Sequence, residues 1–290
     1  MIRRRELPAV LLASYSGAGS RTPANLDRFF DSPKGAAVLV DVHSRQVIGI
    51  RASRTAGRFL VPPGSTIKPF VLAALLRTGR LRPVEAMACP GALTIQGRSF
   101  ACSHPKLDVP VRIETALAYS CNCYVASAAE RFAPGELTQE LVRAGFATAT
   151  GLVGPGEVSG RVDLVSSRDA IRIQALGEQA IVVTAAEMAY AYRTLALNAS
   201  RPDLQPIVAG LEGAVEFGTA QRAGIARVRV AGKTGSVRTE SGARIAWFAG
   251  FLPSRAPEVA ISVMLQGRSG GSDAAPVAGR ILSEWRVGKL

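Results

Sequence analysis

Ser65 and Lys68 combine two side-chain types at a spacing that suits nucleophilic catalysis. They lie three residues apart in VPPGSTIKPF (61–70), at the start of an apolar segment with helical periodicity. Residues i and i+3 share one face of a helix. A lysine that burial and a positive neighbour keep neutral can take the proton of a serine hydroxyl. The spacing indicates a nucleophile with its base, although a turn followed by a capped helix would give the same pattern.

Two other segments carry groups that would complete such a site. Ser120-Cys121-Asn122 falls in a break between two predicted helices, where a hydroxyl and an amide could relay a proton and orient a substrate; alone it would be interpreted as a helix cap. AGKTGS (231–236) lies on a predicted strand, and Lys233 with Thr234 could hold a carboxylate while a peptide pairs alongside. The three segments together, in this order, are far more specific than any one of them.

Other catalytic and metal chemistries have less support. The chain has two histidines and no Gly-x-Ser-x-Gly segment, which disfavours a Ser-His-Asp triad. Its four cysteines form no Cys-x-x-Cys pair, so we predict neither a metal site nor a cofactor. Cys89 and Cys102 flank a predicted hairpin with a turn at Gln96-Gly97, and we predict a disulfide between them in an oxidising compartment. Cys121 and Cys123 are predicted to be core residues.

Composition limits the function classes. The 290 residues are 48% hydrophobic, which is enough for a globular core. The net charge of +13 comes mostly from scattered arginines, whereas a nucleic-acid-binding protein would more often have a concentrated basic stripe. A dispersed positive surface suits cell-wall polymers or anionic lipids, or is simply a solvated arginine-rich surface. The basic, partly apolar N-terminus resembles a weak or trimmed export signal.

Hydrophobic periodicity predicts an α+β fold. An antiparallel sheet of about five strands comes from the N- and C-terminal parts of the chain, flanked by helices, and a mainly helical subdomain at about 65–200 is inserted between them. We assign residues 1–34 to an N-terminal segment and 35–290 to one catalytic domain. The predicted elements are strands within 35–52, 226–237, 244–253 and 258–267, a hairpin within 89–102, a glycine-rich loop at 151–160, and helices at 65–77, 112–132 (broken at Ser120), 137–146, 184–197 and 272–286.

The ordered motifs resemble the transpeptidase domain of penicillin-binding proteins, from about Gly35 to Trp285. GSTIKPF is similar to the family's nucleophile motif, AYSCN to its second motif and GKTGS to its third. The segments CPGALTIQGRSFAC, ALGEQAIVVTAAEMAYAYRTLA and AWFAGFLP are weaker matches. The chain departs from the family at Ser236, where threonine is common, and at GEQA (177–180), where the family usually repeats glycine.

The resemblance implies a β-lactamase/transpeptidase-like fold and a role for each matching residue. Ser65 would be acylated, Lys68 would be its base, and Ser120 and Asn122 would relay protons and position substrate. The third motif would bind the substrate carboxylate and backbone through Lys233, Thr234, Gly235 and Ser236. The backbone N–H groups of Ser65 and Ser236 would form the oxyanion hole.

The implied function is a peptidoglycan D,D-transpeptidase that acts on D-Ala-D-Ala stem peptides and is acylated by β-lactams. A D,D-carboxypeptidase, a β-lactamase and a non-catalytic β-lactam sensor share the fold and remain alternatives. The implied partners are stem peptides, β-lactams and cell-wall, divisome or elongasome proteins, with no nucleic acid. The implied location is outside the cytoplasm, in the periplasm or at the cell surface, with an anchor or signal expected.

Overall fold

The structure, a computed structural model, describes residues 22–290. The export signal or anchor remnant predicted in the N-terminal segment therefore falls largely outside the described residues. The described part of that segment packs on the domain, since Leu26 and Phe29 are buried. Among residues 22–290, no helix is both long and apolar enough to cross a membrane.

The elements within residues 22–290 follow the predicted order of strands, helices, strands and helix. The strands are β1 (Ala24–Asn25), β2 (Gly35–Asp41), β3 (Val47–Arg51), β4 (Ala92–Ile95), β5 (Arg98–Ala101), β6 (Arg161–Val162), β7 (Ile181–Val182), β8 (Ala231–Arg238), β9 (Arg244–Leu252) and β10 (Val259–Gln266). The α-helices are α1 (Ser53–Arg58), α2 (Lys68–Arg77), α3 (Ile113–Ala118), α4 (Asn122–Ala129), α5 (Glu136–Arg143), α6 (Arg168–Ala175), α7 (Ala185–Leu197), α8 (Gln205–Glu216) and α9 (Ala275–Arg286).

The main sheet joins the two ends of the domain. Its strand order is β1-β3-β2-β10-β9-β8, so the N-terminal strand β2 pairs with the C-terminal strand β10. Five strands form the predicted antiparallel sheet. The sixth, β1, adds a two-residue parallel pairing with β3 that was not predicted. Strand β8, which carries the third motif, lies at the opposite edge.

Both faces of the central strands are buried. Alternate residues of a strand point to opposite faces. Val38 and Val40 of β2 accordingly belong to one hydrophobic cluster, which includes α7, whereas Ala37 and Leu39 belong to another, which includes α9. Helix α7 begins with a capping box between Thr184 and Glu187. The sheet is thus held between helices on both sides.

Three helices, the paired two-residue strands β6 and β7, and one strand boundary differ from the sequence expectations. Helices α1, α6 and α8 were not predicted, and the strand predicted from residue 226 begins at Ala231. Residues 226 and 227 instead form a turn, closed by a bridge between Ile225 and Val228, in which Arg227 has φ 65°. The predicted hairpin, the broken helix at Ser120 and the C-terminal helix are confirmed.

Candidate active site

Ser65 lies on a tight turn that leads into α2. Residues Gly64–Ile67 form a 3-10 helix, and the Lys68 backbone N–H donates to the Ser65 carbonyl. Residues i and i+3 of a 3-10 turn stack along the axis, so Ser65 and Lys68 are on one face. Ser65 is half-buried, whereas Lys68 is fully buried. Ser65 is therefore partly accessible to solvent, whereas the lysine that follows it on the same face is not.

The turn is fixed by hydrogen bonds to its backbone from distant elements. Tyr192 of α7 donates its hydroxyl to the Thr66 carbonyl at 3.0 Å, and Trp247 of β9 donates its indole N–H to the Pro62 carbonyl at 3.1 Å. The Gly64 N–H donates to the Gly177 carbonyl at 3.0 Å. A Cβ on Gly177 would stand 2.2 Å from the Gly64 oxygen, so this approach requires glycine.

Lys68 joins the first motif to the second. Its Nζ lies 2.8 Å from the Ser120 carbonyl oxygen, 2.6 Å from Asn122 Oδ1 and 3.3 Å from Ser120 Oγ. The first two atoms only accept hydrogen bonds, so they take two N–H donors of the amine. A neutral amine would keep its lone pair for a proton from a hydroxyl. The structure thus brings Lys68, Ser120 and Asn122 together.

The second motif is held in an unusual backbone conformation. Ser120, between α3 and α4, has φ 59°, a left-handed conformation that costs a non-glycine residue roughly 1–2 kcal/mol. Asn122 donates its amide N–H to the Ala101 carbonyl at 2.7 Å, which fixes the orientation of the amide and turns Oδ1 to Lys68. The β4–β5 hairpin thereby holds the amide in place.

The third motif lies on edge strand β8, against the turn that carries Ser65. A Cβ on Gly235 would stand 2.7 Å from the Pro63 carbonyl oxygen, and a Cβ on Gly64 would stand 2.6 Å from Val237 and 3.5 Å from the Ser236 nitrogen. Ser236 is exposed, and its Oγ accepts from the Gly270 N–H at 2.9 Å. Glycine at these two positions lets strand and turn touch, so the third motif adjoins the predicted nucleophile.

Lys233 and Thr234 have different surroundings from Lys68. Lys233 is fully buried, and its Nζ donates to the Thr234 carbonyl at 3.1 Å. The Thr234 hydroxyl donates to Thr219 Oγ1 at 2.8 Å. The Thr219 backbone N–H in turn donates to Ala118 at the end of α3. Thr219, which was not predicted from the sequence, therefore links the third motif to the helix before the second.

Burial sets the electrostatics of both amines. Desolvation lowers the pKa of Lys68 to about 8, with nearby cysteines and Glu178 opposing the shift. The pKa of Lys233 lies well below its ordinary value, first because of burial and then because of the positive charge of Lys68. A lysine with a pKa near 8 is neutral often enough at physiological pH to act as a general base.

The four cysteines converge behind the second motif. The Sγ atoms of Cys89 and Cys102 are 3.6 Å apart and all four thiols are free, so the disulfide predicted between these two residues is not formed in the structure. Cys121 and Cys123 are buried, as expected for core residues. Their sulfurs, however, lie 3.7 and 3.5 Å from that of Cys102.

Comparison with known proteins identifies the family. The sequence pattern described as "Penicillin binding protein transpeptidase domain" matches residues 35–283, which is most of the chain. The chain belongs to this family. A curated relative, the "Probable peptidoglycan D,D-transpeptidase PbpC" of Pseudomonas aeruginosa, is 26% identical over 88% of this chain and 54% of its own length. The chain thus spans about half the length of that relative.

Solved transpeptidase structures share the fold. The transpeptidase domain of penicillin-binding protein 3 from Burkholderia pseudomallei matches 91% of this chain and 90% of its own, with a TM-score of 0.79 and 20% identity. Penicillin-binding protein 2 of Helicobacter pylori, solved in complex with MreC, matches 91% of this chain and 62% of its own, with a TM-score of 0.76 and 18% identity. The α+β architecture predicted from the sequence is that of these transpeptidases.

Proposed function

We propose that this penicillin-binding-type domain is a serine D,D-transpeptidase that forms an acyl-enzyme on Ser65. The observation that carries the proposal is the fully buried Lys68. Its Nζ bonds Ser120 and Asn122, and Ser65 lies three residues before it on the same turn, so Lys68 connects the second motif to the turn that carries Ser65. The third motif on β8 adjoins the same turn and would supply the substrate-binding groups.

In the first step, neutral Lys68 takes the proton of the Ser65 hydroxyl as Oγ attacks the carbonyl of the penultimate D-Ala. The carbonyl π electrons move to oxygen, and the backbone N–H groups of Ser65 and Ser236 stabilise the oxyanion, an effect typically worth about 2.7–4 kcal/mol per donor. The lowered pKa of Lys68 supports this role, because a buried amine gives up its proton more readily than a solvated one.

In the second step, the tetrahedral intermediate collapses and the C–N bond to the terminal D-Ala breaks. The leaving amine takes the proton that Lys68 received, with Ser120 Oγ, 3.3 Å from Nζ, as the relay. An acceptor amine then attacks the Ser65 ester, a proton returns to Oγ, and a new amide forms. Asn122, held by Ala101, would position the amide of the donor.

The third motif would recognise the donor's carboxylate end. Strand β8 is a sheet edge, so an extended peptide can pair with its backbone. The carboxylate would be bound by the Thr234 hydroxyl and would favour the protonated form of Lys233 behind it, because a nearby opposite charge offsets the desolvation of the buried amine. Gly235 and Ser236 would contact the substrate backbone. A β-lactam carries a comparable carboxylate next to its reactive amide and would acylate Ser65 in the same way.

The same proposal covers location and partners. Peptidoglycan lies outside the cytoplasm, so the domain would act there, with stem peptides as substrates. The MreC complex of the Helicobacter pylori relative makes elongasome proteins the first partners to examine.

One experiment separates transpeptidation from the related activities. The protein is incubated with a pentapeptide stem ending in D-Ala-D-Ala and with an amine acceptor, and products are followed by mass spectrometry. We expect released D-Ala with a donor–acceptor product, both absent in Ser65→Ala. Release without the joined product would indicate a carboxypeptidase, and rapid penicillin hydrolysis with no peptide turnover would indicate a β-lactamase. A stable penicillin adduct with no turnover would indicate a sensor.

A further inference from the structure

Three cysteine sulfurs and one histidine ring converge beside the second motif. Cys89 precedes β4, Cys102 and His104 follow β5, and Cys121 lies between Ser120 and Asn122. The Sγ atoms of the three cysteines and a ring nitrogen of His104 all lie within 4.8 Å of one another. The two ends of the hairpin thus meet the start of α4 at one cluster of metal-binding side chains.

The three sulfurs form a nearly regular triangle. The Sγ separations are 3.6 Å for Cys89–Cys102, 3.7 Å for Cys102–Cys121 and 3.5 Å for Cys121–Cys89. Zinc–thiolate bonds of about 2.3 Å in a tetrahedron place sulfurs roughly 3.8 Å apart. A disulfide would join only two of the three sulfurs, at about 2.05 Å. The observed spacing is therefore close to that of a shared metal ion.

His104 has an unsatisfied atom where such a site needs a fourth ligand. Its Nδ1 lies 2.7 Å from the Pro105 carbonyl oxygen, which can only accept, so Nδ1 carries the proton. Nε2 then has a lone pair, yet it is buried and without a hydrogen-bond partner among residues 22–290. A metal-bound histidine characteristically donates its other N–H to a backbone carbonyl, as this one does.

From this geometry we propose that Cys89, Cys102 and Cys121 Sγ and His104 Nε2 bind one Zn²⁺ ion in a closed, tetrahedral structural site. Thiolates with an imidazole in a tetrahedron favour zinc over harder ions. Binding converts three thiols to thiolates and releases three protons to solvent, so the site carries a net charge of −1. With four protein ligands the ion has no open position for catalysis.

The site would position the catalytic groups rather than react. Cys121 is bonded on either side to Ser120 and Asn122, and Cys102 follows Ala101, whose carbonyl accepts from Asn122. Ser120 keeps its left-handed φ of 59° in this segment. An ion that ties the hairpin to the start of α4 would hold Ser120 and Asn122 against Lys68. Cysteines 89, 102 and 121 are thus positioning residues.

The direct test is metal content, which does not depend on enzymatic activity. The full chain, purified without chelators under conditions that keep thiols reduced, is analysed by elemental mass spectrometry. We expect one zinc per chain, and after cobalt exchange a tetrahedral d–d spectrum with a thiolate-to-cobalt charge-transfer band. Zinc should be lost in Cys89→Ser, Cys102→Ser and His104→Gln. A zinc-free protein lighter by two hydrogens, with Cys89 joined to Cys102, would overturn the proposal.

Two matched variants control for general effects of substitution. His43→Gln removes the chain's other, exposed histidine. Cys123→Ser removes a buried thiol whose Sγ lies 3.5 Å from that of Cys102 but which is not within 4.8 Å of all the proposed ligand atoms. Both should keep the zinc. Loss of zinc in Cys123→Ser together with its retention in His104→Gln would overturn the proposed ligand set.

A second measurement, on the unmutated chain, tests the positioning role even if ligand variants fold poorly. Zinc is removed with a chelator, and acylation by a fluorescent penicillin is timed before removal, after it, and after adding back zinc or magnesium. We expect slower acylation of the metal-free protein and recovery with zinc only. An acylation rate unaffected by zinc removal would overturn the positioning role. Normal zinc content with no acylation at all would instead contradict the proposed function.

Discussion

Lys68 and Lys233 are both fully buried, but the two lysines are held by different kinds of structure. Lys68 begins a helix, and its amine contacts three acceptor atoms of Ser120 and Asn122, at the start of α4. Lys233 lies within a regular strand, and its Nζ donates to the carbonyl of the adjacent residue, Thr234. The first amine depends on contacts between distant segments, whereas the second is placed by the sheet itself.

The difference matches the two proposed tasks. A general base must approach the nucleophile closely and lose a proton, so its partners and its pKa matter most. A carboxylate-binding residue needs a fixed position, which strand β8 provides, and a positive charge, which a bound carboxylate would favour on the buried amine. The proposed base is consequently positioned by a strained turn at Ser120 and, through Asn122, by the β4–β5 hairpin, whereas the proposed carboxylate-binding groups are positioned by β8 and β9.

Replacing the proposed base should have the largest effect. Lys68→Ala removes the only amine bonded to both Ser120 and Asn122 within residues 22–290. We expect the rate of acylation by penicillin to fall about 10²–10⁴-fold, as for loss of a general base. Lys106→Ala, at an exposed lysine, is the matched control and should acylate normally. Equal rates in Lys68→Ala and the unmutated protein would contradict the base assignment.

Replacing the binding-side lysine should have a smaller effect. Lys233→Ala should lower the second-order acylation constant about 10- to 100-fold, equivalent to a charge-assisted hydrogen bond of about 1.5–3 kcal/mol. The loss should appear mainly as a higher penicillin concentration for half-maximal rate, with Lys34→Ala as an exposed control. If the maximal acylation rate of Lys233→Ala fell as far as that of Lys68→Ala, with no change in the penicillin concentration for half-maximal rate, the proposed distinction between the two lysines would be wrong.

The pH dependence of the acylation rate tests whether neutral Lys68 is the base. Because burial lowers the pKa of Lys68 to about 8, the neutral amine increases as pH rises through 8. The acylation rate should therefore increase about tenfold between pH 7 and pH 9. The rates are measured with a penicillin and corrected for its spontaneous hydrolysis. A flat profile, or one that falls over this range, would show that Lys68 is not the titrating base.

The strained backbone of the second motif predicts the smallest effect. Ser120→Gly and Ser120→Ala both remove the hydroxyl, but only glycine adopts φ near 59° without cost. We expect Ser120→Gly to be the more stable of the two by about 1 kcal/mol in urea unfolding. Equal stability, or a more stable alanine variant, would mean that the left-handed turn stores no strain.

Sequence patterns predicted the elements that are formed by residues close together in the chain. The helix after Ser65, the hairpin at Gln96-Gly97 and the break at Ser120 follow from periodicity, turn residues and caps, and all three are present. Helix α8 was missed because Pro206, Gly210 and Gly213 suggest a loop. In the structure these glycines allow close packing, since a Cβ on Gly210 would stand 2.7 Å from Leu117.

Contacts between distant segments could not be predicted in this way. The link between Thr219 and Thr234 joins residues that share no pattern in the sequence. The cysteines show the same limit: hairpin spacing favours a pair, and only the docking of α4 on the hairpin brings Cys121 to them. The family resemblance supplied roles for single residues, but the network around Lys68 depends on three-dimensional packing.

The identity of the nucleophile is the central claim, and locating the penicillin adduct tests it most directly. After acylation and trypsin digestion, Ser65 falls in the peptide of residues 59–77, because trypsin does not cut between Lys68 and Pro69. We predict that fragmentation places the penicilloyl group on Ser65, and that Ser65→Ala carries no adduct. An adduct on Ser120 or Ser236, or none at all on correctly folded protein, would contradict the account.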